Sequence, residues 1–258
     1  MLPKPKKSLG QHFLTDAHYI ERILKAIDPQ HGDHMVEIGP GPGALTGPLA
    51  QRLDHLHVVE LDRDLAATLA ARLAAGNLTI HQQDALDFDF GSLPTPLRVV
   101  GNLPYNVSTP LLFQVARFAD GIKDCTFMLQ KEVVDRMAAA PSTPDYGRLS
   151  VMLQYRFQVR RLFIVPPGAF HPPPKVDSAI VRMVPLGADR LRAREDGRFA
   201  EVVTAAFGQR RKTLRNTLKP WLTQEDIAAL GIDSQLRAEN LGVAEFVQLA
   251  NATFKRAE

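Results

Sequence analysis

The chain has 258 residues, of which 45% are apolar and 23% charged, with a formal net charge of +3 and a pI of about 9.1. This composition excludes a disordered protein, and no apolar run approaches the roughly 18 residues that a membrane span needs. The single cysteine, Cys125, excludes an internal disulfide and favours a reducing compartment. We therefore expect one or two domains of a cytoplasmic protein without a signal peptide.

Strand-like and helix-like segments alternate from residue 34 to about residue 140, which predicts an α/β fold with a parallel sheet covered by helices. The proline-rich segment 166–174 cannot be a central strand, because proline lacks the N–H donor of the strand ladder. The predicted strands are residues 35–38, 56–61, 78–81, 99–100 and 126–129, followed by a hairpin-like pair at 161–165 and 179–184. The predicted helices here are residues 44–53, 63–75, 131–140 and 148–155.

After Gly187 the pattern becomes helical without β-branched runs, so we predict a first domain at residues 1–188 and a helical domain at residues 189–258. Between Asp189 and Lys219 there are nine Lys and Arg against four Asp and Glu. Such a basic sector suggests a polyanionic partner, although a charge run is more often a solvated helix face. The predicted helices of this domain are residues 199–207, 213–218, 224–230 and 243–254.

The tetrapeptide Asn102-Leu103-Pro104-Tyr105 follows an apolar strand and is suited to hold an exocyclic amine. The Asn102 amide oxygen and the Pro104 carbonyl can each accept one hydrogen bond from an adenine N6 amine, while the Tyr105 ring stacks on the base. The nitrogen lone pair is then directed outward, and no dedicated general base is needed. The alternative interpretation of these four residues is a strand that ends in an ordinary proline turn.

A second set of candidates lies at the ends of the earlier strands, where a nucleotide-like cofactor would bind. Gly39 and Gly41 allow a close backbone approach, and Glu60 is suited to two ribose hydroxyls. Asp84 could accept from an adenine amine while the Ala85 N–H donates to a ring nitrogen. The glycines loosely fit a dinucleotide site too, but no hydride-transfer site is evident. The set therefore favours S-adenosylmethionine over NAD.

Several sequence blocks together resemble the small-subunit ribosomal RNA adenine dimethyltransferases of the KsgA/RsmA type, nearly from end to end. The blocks are residues 8–14, 37–46, 83–85, 101–108, 130–133, 146–150, 167–179 and 207–214. The resemblance implies a seven-stranded class I methyltransferase domain followed by a small helical domain. Many members of that family have Asn where this chain has His12. The implied S-adenosylmethionine contacts are His12, Leu14, Gly39, Glu60, Asp84 and Asn102.

The target adenine must leave its stack, so a pocket has to replace the lost stacking. Tyr105 would cover one face of the base and Phe170 the other, unless Phe170 is a capped core aromatic. Leu103 would shape the room for the second methyl group. No metal is expected. The expected RNA contacts, mainly to phosphates, are Lys4, Lys6, Lys7, Arg148, Arg210, Arg211, Lys212 and Arg215.

The first functional hypothesis is an enzyme that dimethylates two adjacent adenosines in the 3′-terminal hairpin loop of 16S rRNA, within the assembling 30S subunit. A large-subunit rRNA adenine methylase is the alternative among enzymes, and the block around Phe170 with the basic C-terminal part favours the small subunit. A non-catalytic RNA-binding assembly factor is an alternative of a different class. DNA adenine or protein glutamine methylation also remains open. We expect a monomer.

Overall fold

The computed structural model describes residues 5–6, 11–73, 76–209 and 211–256. The strands are β1 Phe13–Leu14, β2 His34–Ile38, β3 Leu56–Val59, β4 Leu78–His81, β5 Leu97–Asn102, β6 Ile122–Gln130, β7 Phe157–Val165, β8 Phe170–His171 and β9 Ser178–Pro185. The helices are α1 Ala17–Ile27, α2 Thr46–Ala50, α3 Arg63–Arg72, α4 Ser108–Ala116, α5 Lys131–Ala138, α6 Arg148–Gln154, α7 Asp196–Gly208, α8 Leu214–Thr217, α9 Gln224–Ala228 and α10 Val243–Ala252.

Seven strands form one mostly parallel sheet in the order β4-β3-β2-β5-β6-β9-β7. The pairs from β4 through β6 are parallel, and β6 pairs with β9 in antiparallel register. The chain order reverses between β2 and β5, which is the switch point where open α/β sheets bind ligands. The predicted α/β fold, with a seven-stranded and mostly parallel sheet, is confirmed.

The proline-rich segment does not enter this sheet. Its short strand β8 pairs with β1 in a separate two-stranded sheet, in which Leu14 lies opposite Phe170. The backbone N–H of Thr15 adds a hydrogen bond to the Ala169 carbonyl at 2.9 Å. The segment that precedes α1 is therefore attached to the connection between β7 and β9.

Helix α2 is shorter than the ten residues that the pattern predicts. A turn occupies the residues that precede it, with the Gly43 N–H bonded to the Pro40 carbonyl at 2.9 Å. The helix itself contains Gly47 and Pro48, both poor helix formers. Hydrogen-bonded turns continue the helix beyond Ala50, with the Leu53 N–H bonded to the Leu49 carbonyl at 3.1 Å, which is why the pattern overstates the length of the regular helix.

Contacts divide the chain into two units, of which the first comprises residues 1–134 and 158–185 and the second residues 135–157 and 186–258. The second unit has its own apolar core, in which the rings of Tyr155 and Phe199 stack at 4.0 Å between centroids. The Tyr155 hydroxyl donates to Asp196 at 2.8 Å. The predicted domain boundary near residue 188 is close to residue 186, where the second unit resumes. The second unit also contains residues 135–157, which the sequence pattern places in the first domain.

Candidate functional site

The carboxyl ends of four neighbouring strands meet at one edge of the sheet and line an open cavity. Gly39 follows β2, Glu60 follows β3, Asp84 comes shortly after β4, and Asn102 ends β5. Because all four strands are parallel, their ends lie on the same side. The structure thus brings together four residues that the sequence predicted as one site.

The turn after β2 requires glycine for its conformation and for space. Gly39 and Gly41 have positive φ angles of 64° and 55°, a region that other residues rarely adopt. One strand away, a Cβ on Gly101 would lie 2.3 Å from the Ile38 carbonyl oxygen, so β2 and β5 approach closely there. This close approach positions the glycine turn next to Asn102.

Glu60 connects the second strand end to the glycine turn. Its carboxylate accepts hydrogen bonds from the backbone N–H groups of Asp62 at 2.8 Å and Gly41 at 3.2 Å. Burial raises the pKa of Glu60 above its ordinary value, although these two hydrogen bonds oppose the rise. A carboxylate offers about four acceptor positions. Glu60 can therefore support the turn and still accept from ligand hydroxyls.

Asp84 lines the cavity beyond Glu60. Its Oδ1 accepts the Leu86 N–H at 2.9 Å, which leaves its second oxygen for a ligand donor. Ala85 is partly buried but does not belong to the cavity wall. The contact between the Ala85 N–H and the cofactor stays a prediction.

Asn102 and Pro104 form the opposite side of the cavity. The Asn102 Nδ2 donates to the His12 carbonyl at 3.2 Å. Since a carbonyl only accepts, this contact assigns the amide orientation and leaves Oδ1 as a free acceptor among the described residues. The Pro104 carbonyl accepts the Val107 N–H at 3.2 Å and has a second lone pair. Both predicted amine acceptors line the cavity.

Tyr105 and His12 lie together at the cavity wall. Their rings are stacked, with centroids 5.8 Å apart and an angle of 27° between planes. The Tyr105 hydroxyl bonds to the Ser178 Oγ, and burial raises the pKa of Tyr105. The His12 Nδ1 lies 2.8 Å from the Pro172 carbonyl, so Nδ1 carries the proton in that contact. An incoming base would use the Tyr105 face that His12 does not occupy.

The apolar candidates differ in position. Leu14 and Leu103 line the cavity, although both are nearly fully buried. Phe170 is 4% exposed, packs in the apolar core with Leu14 and Ile180, and does not line the cavity. To cover one face of the base, the ring would first have to leave this core packing, and this role of Phe170 stays a prediction.

The predicted RNA-binding residues are described only in part, since Lys4, Lys7 and Arg210 lie outside the described residues. Lys6 is engaged within the protein: its ammonium bonds Asp62 at 2.7 Å and Asp64 at 2.8 Å, and these hydrogen bonds raise its pKa. A phosphate would have to displace these carboxylates. The remaining candidates are exposed and belong to the second unit: Arg148, Arg211, Lys212 and Arg215.

Some cavity residues were not assigned a role from the sequence. Glu37, in β2, lines the cavity at 2% exposure. The sequence does contain a signal for Glu37, because it is an acidic residue inside the otherwise apolar run 35–38. Burial raises the pKa of Glu37 to about 7, against an opposing effect of the Thr46 hydroxyl and with a smaller contribution from the charge of Glu60. The other unassigned wall residues are Gln11, Phe13, Pro40, Pro42, Ala44, Leu45, Leu61, Leu65, Asn106 and Val107.

The charge of the cavity distinguishes between classes of cofactor. Its described wall contains three carboxyl groups, Glu37, Glu60 and Asp84, and no Lys or Arg. A dinucleotide would bring two negative phosphates against these carboxyls, whereas a sulfonium ligand brings a positive charge. The residues therefore fit S-adenosylmethionine better than NAD. In the described part of the chain, no group of three or more His, Cys, Asp or Glu is placed to hold a metal ion.

Comparison with known proteins agrees with this geometry. The profile of the family described as "Ribosomal RNA adenine dimethylase" matches residues 3–255. The chain belongs to this family. Among related dimethylases, a protein of Aromatoleum aromaticum named "Ribosomal RNA small subunit methyltransferase A" is 61% identical over 96% of this chain and 94% of its own length. A protein of Nitrosospira multiformis with the same name is 60% identical, over 96% of this chain and 95% of its own.

Two solved structures have the fold of this dimethylase. A dimethyladenosine transferase from Plasmodium falciparum has a TM-score of 0.81 at 24% identity, covering 92% of this chain and 96% of that chain. The 23S rRNA methyltransferase ErmE has a TM-score of 0.71 at 26% identity, covering 94% and 99%. Within the residues that the structure describes, none of the helices is both long and apolar enough to cross a membrane.

Proposed function

We propose that this dimethylase transfers methyl groups from S-adenosylmethionine to N6 of two adjacent adenosines in the 3′-terminal hairpin loop of 16S rRNA, giving N6,N6-dimethyladenosine. Its substrate would be the small ribosomal subunit during assembly, in the cytoplasm. The observation that carries the proposal is the Asn102 amide, which the His12 carbonyl orients at the edge of an acidic cavity. An amide acceptor beside a cation site is what methylation of an exocyclic amine requires.

The cofactor side of the cavity is formed by the glycine turn and the strand-end carboxylates. Glu60 would accept ribose hydroxyls and Asp84 the adenine amine, because both retain acceptor positions after their backbone contacts. When bound, S-adenosylmethionine supplies a methyl group on a positively charged sulfur. His12, Leu14 and Gly39 line the same cavity and would complete the contact.

The amine side activates a weak nucleophile. The lone pair of an adenine N6 is delocalised into the ring, and two fixed acceptors favour the geometry in which it is directed outward. The Asn102 Oδ1 and the Pro104 carbonyl supply these acceptors. In each transfer the N6–CH3 bond forms, the S–CH3 bond breaks, and one N6 proton leaves to solvent. No residue needs to act as a dedicated base.

Positioning of the base depends on Tyr105, whose ring is fixed by the Ser178 contact and by His12. Stacking on a fixed aromatic ring replaces part of the stacking that a flipped base loses. Leu103, which is 1% exposed at the cavity wall, would limit the room for the second methyl group.

Binding of the RNA would rely on the exposed basic side chains of the second unit, Arg148, Arg211, Lys212 and Arg215. Contacts of this kind go mainly to phosphates, so they set affinity and its salt dependence more than the choice of base. Lys4, Lys7 and Arg210 are proposed to act in the same way, and Lys6 only after release from its carboxylates. We propose a monomer.

The test offers labelled S-adenosylmethionine and four acceptors: small subunits from cells that lack the modification, large subunits, naked rRNA and duplex DNA. We expect label on the small subunits, at two neighbouring adenosines with two methyl groups each. Label on large subunits alone would contradict the proposal in favour of a large-subunit methylase, the function in the name of ErmE. Binding of small subunits without any label would favour a non-catalytic assembly factor.

A further inference from the structure

Glu37 is a buried carboxyl group that the proposed mechanism does not use. It lies in β2, is 2% exposed, and lines the cavity. Its Oε2 is fully buried without a hydrogen-bond partner among the described residues. Buried polar atoms are nearly always hydrogen-bonded, so a single unpartnered carboxyl oxygen calls for an explanation.

The neighbouring charges make ionisation of Glu37 unfavourable. Glu60 also lies in the cavity wall, but its carboxylate is stabilised by two backbone N–H groups. Burial raises the pKa of Glu37 to about 7; the neighbouring Thr46 hydroxyl opposes this rise, and the negative charge of Glu60 reinforces it. The other titratable residues of the described cavity wall are His12, Asp84 and Tyr105. The described wall contains no Lys or Arg that could neutralise Glu37.

A cationic ligand would supply the positive partner that neither the neighbouring Thr46 hydroxyl nor the described cavity wall provides. The proposed cofactor carries a sulfonium charge, which the reaction removes: the product S-adenosylhomocysteine is the corresponding neutral thioether. A positive charge that enters the cavity favours the ionised carboxyl, and its loss favours the protonated carboxyl. The net charge of the ligand and the protonation of Glu37 are therefore expected to change together.

We propose that Glu37 is a specificity-determining residue that ionises when the sulfonium cofactor binds and keeps the protonation equilibrium of the free protein when the neutral product occupies the site. The proposal rests on the proposed use of S-adenosylmethionine. Binding of the cofactor then releases a proton, and binding of the product does not. The preference for cofactor over product increases with pH until Glu37 is ionised in the free protein, and is constant above that pH.

The test measures the affinity of the purified full chain for both ligands by calorimetry, at pH 6 and pH 7.5. It uses two buffers with different ionisation enthalpies, because the difference in heat counts the protons released. If the cofactor binds only with Glu37 ionised, the ratio of the two affinities rises by about eightfold over this interval. Equal proton release with both ligands, or a constant ratio, would overturn the proposal.

Variants assign the effect to a residue. Glu37→Gln keeps the shape but cannot ionise, so proton release and the pH dependence of the ratio should both disappear. His12→Asn is the first control, because histidine is a common source of pH dependence. Asp84→Asn is the second, as another carboxyl of the same wall. Both controls should retain the pH dependence of the affinity ratio even if they bind the ligands more weakly. If a control loses this pH dependence while Glu37→Gln retains it, the titrating group is the residue changed in that control and not Glu37.

The outcomes separate this inference from the proposed function. Failure of wild-type protein to bind either ligand at any pH would count against both. Binding of both ligands with the same pH dependence would contradict only the role of Glu37. If Glu37→Gln does not fold, the proton count of the wild-type protein at pH 6 still decides, because an α-amino group with a pKa of about 8 is almost fully protonated at that pH. Titration of the ligand amino group is common to wild-type protein and variants, and therefore cancels in the comparison between them.

Discussion

The Asn102 side chain donates from Nδ2 to the carbonyl oxygen of His12 at 3.2 Å, so a backbone atom before β1 determines how the amide at the end of β5 is oriented. The donor end of the amide is used by the protein, and the acceptor end remains for a ligand. Because the contact is to a backbone carbonyl, an Asn in place of His12 would preserve it. Relatives with Asn at this position can therefore hold Asn102 in the same orientation.

Asn102→Ala is expected to lower methyl transfer at least about 100-fold, because it removes a preorganised group at the reacting amine. RNA binding should remain nearly intact, since the expected RNA contacts lie elsewhere. Asn102→Asp is the matched variant: it keeps the size of the side chain but cannot donate to the His12 carbonyl. Transfer of labelled methyl groups and RNA binding are measured on the same preparations. An equal loss of both activities in Asn102→Ala would mean that Asn102 is a structural residue.

Tyr105→Ala is expected to reduce kcat/KM by about 5- to 150-fold, which corresponds to the roughly 1 to 3 kcal/mol that stacking of a base on an aromatic ring contributes. Tyr105→Phe is the control, since it keeps the ring and loses only the bond to Ser178. It should retain most of the activity in steady-state assays on small subunits. Equal losses in both variants would mean that the hydroxyl, and not stacking, is the important feature.

The strand-end residues could be predicted because the physical signals are local. Gly39, Glu60, Asp84 and Asn102 each follow an apolar strand, and parallel strands bring their carboxyl ends together whatever the details of packing. The same alternation predicts a parallel sheet but not the order of its strands, in which β9 lies between β6 and β7. For this reason the α/β fold and the main cavity wall agree with the sequence prediction.

The remaining features depend on contacts between distant parts of the chain. The burial of Phe170 results from pairing of β8 with β1, and the ion pairs of Lys6 depend on Asp62 and Asp64, far from it in sequence. A proline-rich loop and a basic N-terminal segment do not contain this information. The free oxygen of Glu37 likewise becomes evident only when its surroundings are known.

Replacement of Arg211, Lys212 and Arg215 together by Ala should weaken RNA binding and flatten its dependence on salt. Each phosphate contact contributes about 0.7 to 0.9 to the slope of log affinity against log salt, so three contacts account for about 2 to 3 units. The measurement is a salt titration of RNA affinity. A matched variant changes three exposed bases of the first unit, Lys25, Arg52 and Arg117, and should leave the slope unchanged. Equal flattening in both variants would indicate a general effect of net charge.

Arg98 is expected to be the most sensitive charged residue for stability. It is 3% exposed and binds both oxygens of the buried Asp124, at 2.9 and 3.0 Å, and Asp33 at 2.6 Å. Arg98→Met would remove the main positive partner of the buried Asp124 carboxylate. Breaking such a buried ion pair typically lowers the free energy of unfolding by about 3 to 5 kcal/mol. Lys123→Met removes a half-exposed partner of Asp33 and should cost about 1 kcal/mol or less. Urea unfolding at pH 7 compares the two variants.

The same network predicts how stability changes in acid. Burial alone would raise the pKa of Asp33, but hydrogen bonds from Lys123, the Gln30 backbone and Arg98 outweigh it and lower the pKa from 3.8 to about 2. Because the folded state holds the proton less tightly, Asp33 stabilises the fold above about pH 4. This contribution, roughly 2 kcal/mol, is lost as the pH falls towards 2. Unfolding free energies measured between pH 5 and 2 should fall less steeply in Asp33→Asn, and an unchanged slope would show that Asp33 is not responsible.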